Sequence, residues 1–106
     1  MIEVNYNSKT LELSIKGHAE HGNKGEDIVC SAASILFYML AESLTNAKEM
    51  LVQNPKIEIE DGKGTISCVP KGKYEANVTL IYWTILNGFE LLALEYKENI
   101  KFEIFE

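Results

Sequence analysis

The chain has 106 residues, of which 46% are hydrophobic and 25% charged, and a net charge of −6. This length predicts one domain over residues 1–106 with a single modest core, and the composition excludes a disordered chain. An acidic domain gains no counterion-release affinity for phosphate backbones. We therefore expect no direct nucleic-acid binding and a preference for a basic partner.

Neither a membrane segment nor a disulfide framework is expected. No uninterrupted apolar run approaches the ~20 residues that span a bilayer, and the first residues lack the pattern of a signal peptide. These features predict a cytoplasmic protein. Two cysteines do not suggest a disulfide scaffold. Cys68 lies in a short strand pattern and is expected to pack as a small buried hydrophobe.

The first elements form a predicted hairpin. Residues 2–6 and 11–15 alternate apolar and polar side chains, which predicts two strands with one buried face each. Turn-forming residues at 7–9 join them, so the strands should be antiparallel. The following stretch, 17–26, is too polar and too rich in glycine for regular structure.

A long helix is predicted next. Asp27 is a favourable N-cap, and apolar residues then recur near a 3.6-residue period from Ile28 to Leu51, including Ile35 and Met39. The helix should end at Asn54-Pro55, because proline cannot continue the hydrogen-bond ladder.

A second hairpin, a second helix and a last strand follow. Residues 57–60 and 65–69 predict a hairpin around the turn 61–64, residues 74–97 predict a helix that is apolar on most sides, and residues 100–105 predict a last strand. The fold class is therefore α+β, in the order strand-strand-helix-strand-strand-helix-strand. We expect a mostly antiparallel sheet with two helices packed on one face. Surplus apolar surface on the helices predicts a homodimer through them.

The stretch 17–34 contains the residues with the most specific chemistry. Cys30 lies in the first predicted helical turn, where helix N-terminal amides and the macrodipole would favour a thiolate and could bind an oxyanion. A loop histidine, His18 or His21, could take its proton. Gly22 and Gly25 would let the loop fold back towards the cysteine.

A metal site is an alternative use of this stretch. His18, His21 and Cys30 are all zinc-type ligands. A fourth ligand and the close spacing of structural zinc sites are missing, so we expect neither a metal nor another cofactor.

The pair Gly17-His18, followed by Gly25-Glu26-Asp27-Ile28-Val29-Cys30, resembles the ribosomal-processing cysteine protease family Prp. The hallmark of that family is a Gly-His segment followed by Gly-x-Asp-Ile-Val-Cys. The resemblance implies that His18, rather than His21, is the catalytic base and that Cys30 is the nucleophile. Asp27 and Ser34 occupy supporting positions in the family pattern.

The resemblance also implies a function. It predicts a cysteine endopeptidase that removes an N-terminal extension from a large-subunit ribosomal protein, cutting after an apolar and aromatic segment. The loop bearing Gly17, His21, Gly22 and Gly25 would cover the bound substrate. The alternative is a non-enzymatic, ribosome-associated module that docks a basic ribosomal protein through the 17–34 loop.

Overall fold

A computed structural model describes residues 1–18 and 27–106. Within these ranges, regular structure follows the predicted α+β order, with short 3₁₀ helices at Lys48–Met50 and Gly72–Tyr74. The strands and helices are β1 (Ile2–Asn7), β2 (Glu12–Lys16), α1 (Ile28–Asn46), β3 (Lys56–Glu60), β4 (Lys63–Ser67), α2 (Glu75–Glu95) and β5 (Ile100–Phe105).

The described strands form a mixed sheet in the order β3-β4-β2-β1-β5. Three neighbouring pairs are antiparallel, and β1 and β5 are parallel. Parallel strands cannot be joined by a tight turn and need a crossover connection. Here α2 is that connection, because it carries the chain from β4 to β5 at the edge beside β1. The expectation of a mostly antiparallel sheet is confirmed, with this one parallel pair.

Both helices pack on the same face of the sheet, as predicted. The Phe37 ring of α1 lies over Gly64 of β4, and the Tyr82 ring of α2 lies 5.4 Å from that of Tyr6 in β1. Gly88 of α2 allows a close approach to α1, because a Cβ there would lie 2.6 Å from the Leu36 side chain. Strand residues that do not face the helices form exposed ion pairs, which are Lys16–Glu3, Lys56–Glu58 and Lys101–Glu103.

The prediction that the first helix continues to Asn54 is wrong. The α-helix ends at Asn46, a 3₁₀ turn follows, and Leu51 then bridges to Pro70. Leu51 is buried in the structure, as it would be on the apolar face of a longer helix. The apolar spacing alone therefore did not distinguish a continued helix from a turn that redirects the chain.

Both helices also expose apolar side chains, in line with the surplus apolar surface expected from the sequence. Ile35 and Met39 of α1 are 58% and 47% exposed, and Leu80, Leu91 and Leu94 of α2 are each at least 67% exposed. One helix face covers the sheet while these side chains point away from it. Both helices therefore carry more apolar surface than this sheet buries.

Ile28–Asn46 and Gly72–Glu95 are long and apolar enough to cross a membrane by length and composition. About a third of each segment is buried within the domain. Core helices have the same length and composition, and the buried faces here contact the sheet and the other helix.

Cys68 is buried, as expected, beside two tyrosines. The Tyr82 hydroxyl donates to Cys68 Sγ at 3.6 Å. Burial raises the pKa of the Cys68 thiol, and the Tyr82 hydrogen bond offsets only part of that increase. Burial also raises the pKa of Tyr6 to about 12. Cys68 is therefore held as a protonated thiol at neutral pH, which suits a packing role.

Candidate active site

Asp27 fixes the start of α1. Its backbone is extended, and its carboxylate accepts hydrogen bonds from the Val29 and Cys30 amides at 2.9 and 3.0 Å. Asp27 is only 7% exposed, so this cap is shielded from water. The predicted N-cap is confirmed, and it holds the Cys30 backbone in the first turn of the helix.

The same cap changes the electrostatics at Cys30. The Cys30 amide donates to the Asp27 carboxylate, and the Ser31 amide donates to the Asp27 carbonyl at 3.1 Å. The expectation that the helix N-terminal amides next to Cys30 bind an oxyanion is therefore wrong for these two amides and for that of Val29. A carboxylate at this end also offsets the favourable potential of the macrodipole.

His18 leaves the sheet at the end of β2. Lys16 pairs with Lys63 of β4, and one residue later the Gly17 amide donates to the Gly62 carbonyl at 2.8 Å. Gly17 has φ +96°, and a Cβ there would lie 2.2 Å from the Met1 carbonyl oxygen. Both the backbone conformation and the lack of space therefore require glycine before His18.

His18 and Cys30 line one cleft of about 520 Å³. Gly17 and Ser34 also line it, so four of the predicted site residues meet at one place. Cys30 is half-buried, whereas His18 and Ser34 are exposed. A molecule that fills this cleft therefore contacts both a cysteine and a histidine.

The rest of the cleft has two kinds of wall. One is apolar and includes Ile2, Ile15 and Phe37. The other is the turn between β3 and β4, residues 60–63, which brings two carboxylates and a lysine to the rim. The cleft therefore combines apolar side chains with charged groups at its rim.

The β3–β4 turn is a part of the site that sequence reasoning missed. The Asp61-Gly62 pair predicted a turn, and the structure has that turn between Glu60 and Lys63. Its place beside His18 follows from the pairing of β2 with β4, which are distant in the chain. No local pattern carries that information.

Three predicted loop residues, His21, Gly22 and Gly25, lie outside the described residues. The competing assignment of His21 as the base therefore stays a prediction, as does the zinc alternative that needs it.

Residues 1–101 match the family model described as cysteine protease Prp. The ribosomal processing cysteine proteases Prp of two Staphylococcus aureus strains are each 29% identical to this chain over 100 residues, covering 94% of it and 92% of the relative.

Solved structures agree with this match. The S. aureus ribosomal processing protease Prp with a covalently linked product peptide has a TM-score of 0.80 and 27% identity, covering 98% of this chain and 99% of its own. The same protease with a substrate peptide has a TM-score of 0.75, 25% identity and the same coverage. A Streptococcus mutans protein at 24% identity, with a TM-score of 0.70, covering 98% of this chain and 91% of its own, shares the fold.

Proposed function

We propose that this chain, which belongs to the Prp family of cysteine proteases, cleaves a peptide bond with Cys30 as the nucleophile and His18 as the general base. The observation that carries this proposal is that both side chains line one cleft although the twelve-residue spacing separates them in the chain. The proposed protease domain spans residues 1–106.

The proposed chemistry proceeds in two steps. The Cys30 thiol loses its proton to His18 as Sγ bonds to the scissile carbonyl carbon, and His18 then gives that proton to the departing amine. The N-terminal fragment stays on Cys30 as a thioester. Water, losing a proton to His18, then breaks the thioester and restores the thiol. Asp27 supports these steps by fixing the Cys30 backbone.

The proposed substrate is a large-subunit ribosomal protein with an N-terminal extension. The S. aureus relatives are ribosomal processing proteases, and one was solved with a substrate peptide. The accessible apolar side chains of the cleft, Ile15, Tyr38 and Ile59, suit an apolar and aromatic cleavage segment. The net charge of −6 favours a basic partner, and such a substrate puts the activity in the cytoplasm.

The substrate proposal is tested with two forms of that ribosomal protein, one extended and one beginning at the mature residue. Incubation with the wild-type protein should shorten the extended form by one fragment and leave the mature form unchanged, as read by intact mass. Binding of the extended form without any cleavage would refute the protease proposal and favour the docking module. Cleavage inside the mature sequence would refute the proposed specificity.

The exposed apolar side chains of the helices support a second proposal, a homodimer. Ile35 and Met39 of α1 and Leu80, Leu91 and Leu94 of α2 are at least 47% exposed, an unusual amount of apolar surface for a monomer. Sedimentation equilibrium should give twice the chain mass of 11.9 kDa. A monomer at micromolar concentration would contradict this proposal.

A further inference from the structure

The turn between β3 and β4 lies directly against the His18 ring. A Cβ placed on Gly62 would be 3.2 Å from His18 Nε2, 3.8 Å from Cε1 and 4.0 Å from Cδ2. These are the atoms at the far end of the imidazole. The ring therefore sits close to a backbone position that bears no side chain.

The same turn also holds the backbone that carries His18. The Gly62 carbonyl accepts the Gly17 amide at 2.8 Å, directly beyond the Lys16–Lys63 pair of the ladder. One residue thus fixes the chain just before His18 and limits where the imidazole can lie. His18 is otherwise an exposed side chain at the end of a strand.

We infer that Gly62 is a positioning residue for His18, because the bare backbone of the β3–β4 turn seats the imidazole in the cleft that it shares with Cys30. This inference rests on the proposed role of His18 as the base. A misplacement of about 1 Å in a catalytic group can cost about 100-fold in rate. A side chain at position 62 should therefore reduce kcat, the rate with substrate already bound.

Gly62 also has a purely conformational reason to be glycine. Its φ is +72°, which most residues adopt only with strain, so an alanine would test two effects at once. Asparagine tolerates this left-handed region better than alanine, yet its Cβ would crowd His18 equally. Gly62→Asn therefore tests the contact with the His18 ring while adding less backbone strain than Gly62→Ala.

The experiment compares Gly62→Asn and Gly62→Ala with Gly72→Ala, whose added Cβ would meet no atom within 4 Å. We expect Gly62→Asn to lower kcat, measured at saturating substrate, by about 10- to 100-fold. The melting temperature should stay close to wild type for Gly62→Asn and fall further for Gly62→Ala. Gly72→Ala should keep wild-type kcat and KM.

Two outcomes separate this inference from the proposed function. If His18→Ala cleaves at the wild-type rate, the proposed function is refuted. If His18→Ala is inactive while folded Gly62→Asn keeps full kcat, the positioning role alone is refuted.

A measurement on the wild-type protein covers the case in which the variants do not fold. Nuclear Overhauser effects between the Gly62 Hα protons and the His18 ring protons should be observed, because the ring lies next to that Cα. If both residues are assigned and no such effect is seen, the ring is not seated on the turn and the inference is overturned.

Discussion

Replacing Cys30 by alanine is expected to lower kcat by at least about 10³-fold while leaving the fold intact. Alanine cannot form the thioester, so the two-step route is closed, and only binding and polarisation of the substrate remain. Cys30 is half-buried and its backbone is held by Asp27, so loss of the thiol should cost little stability. Initial rates with the extended ribosomal protein measure the effect.

Cys68 supplies the matched control. It is 8% exposed, its sulfur accepts a hydrogen bond from Tyr82, and burial raises the pKa of its thiol. Cys68→Ala should cleave within about two-fold of wild type, since a buried, protonated thiol outside the cleft takes no part in the reaction. Wild-type turnover by Cys30→Ala, or an inactive but folded Cys68→Ala, would contradict this assignment.

Replacing Phe37 by alanine should cause the largest loss of stability at the cleft. Phe37 is 4% exposed, and its ring lies over Gly64, where a Cβ would come within 2.7 Å of Cζ. The ring thus fills the space that Gly64 leaves between α1 and β4. Its removal opens a cavity and should lower the free energy of unfolding by about 3–5 kcal/mol, as measured by urea denaturation.

The neighbouring residue tests whether burial is the cause. Tyr38 is 50% exposed and touches Phe37 only ring edge to face, with centroids 6.0 Å apart. Tyr38→Ala should cost no more than about 1.5 kcal/mol, which is the value of one aromatic pair. Equal losses for the two variants would show that Phe37 is not a core residue of this helix.

Local chemistry was enough to predict much of the fold. Three features were predicted correctly because each depends on neighbouring residues alone: the Asp27 cap, the Asp61-Gly62 turn and the last strand at residues 100–105. Period-two alternation in Ile2–Asn7 likewise gave a strand with one buried face. The family pattern around Cys30 was equally local, and the matching family model bears out the assignment of the chain to that family.

What could not be predicted depends on contacts between distant segments. The end of α1 at Asn46 and the Leu51–Pro70 bridge that follows it are not recorded in the apolar spacing. The seat of His18 on Gly62 follows from pairing of β2 with β4. The Val29 and Cys30 amides donate to the Asp27 carboxylate and are therefore not available to a substrate oxyanion. A capping pattern in the sequence does not reveal this competition for the amides.

The proposed mechanism requires a covalent bond between Cys30 and the substrate. One structure of the S. aureus relative contains a covalently linked product peptide. The wild-type protein should be mixed with the extended ribosomal protein, quenched in acid at times shorter than one turnover, and mapped by mass spectrometry. We predict the N-terminal fragment as a thioester on Cys30, with Cys68 unmodified. A fragment found on Cys68 instead, or thioester-free cleavage at the wild-type rate by Cys30→Ala, would contradict the role of Cys30.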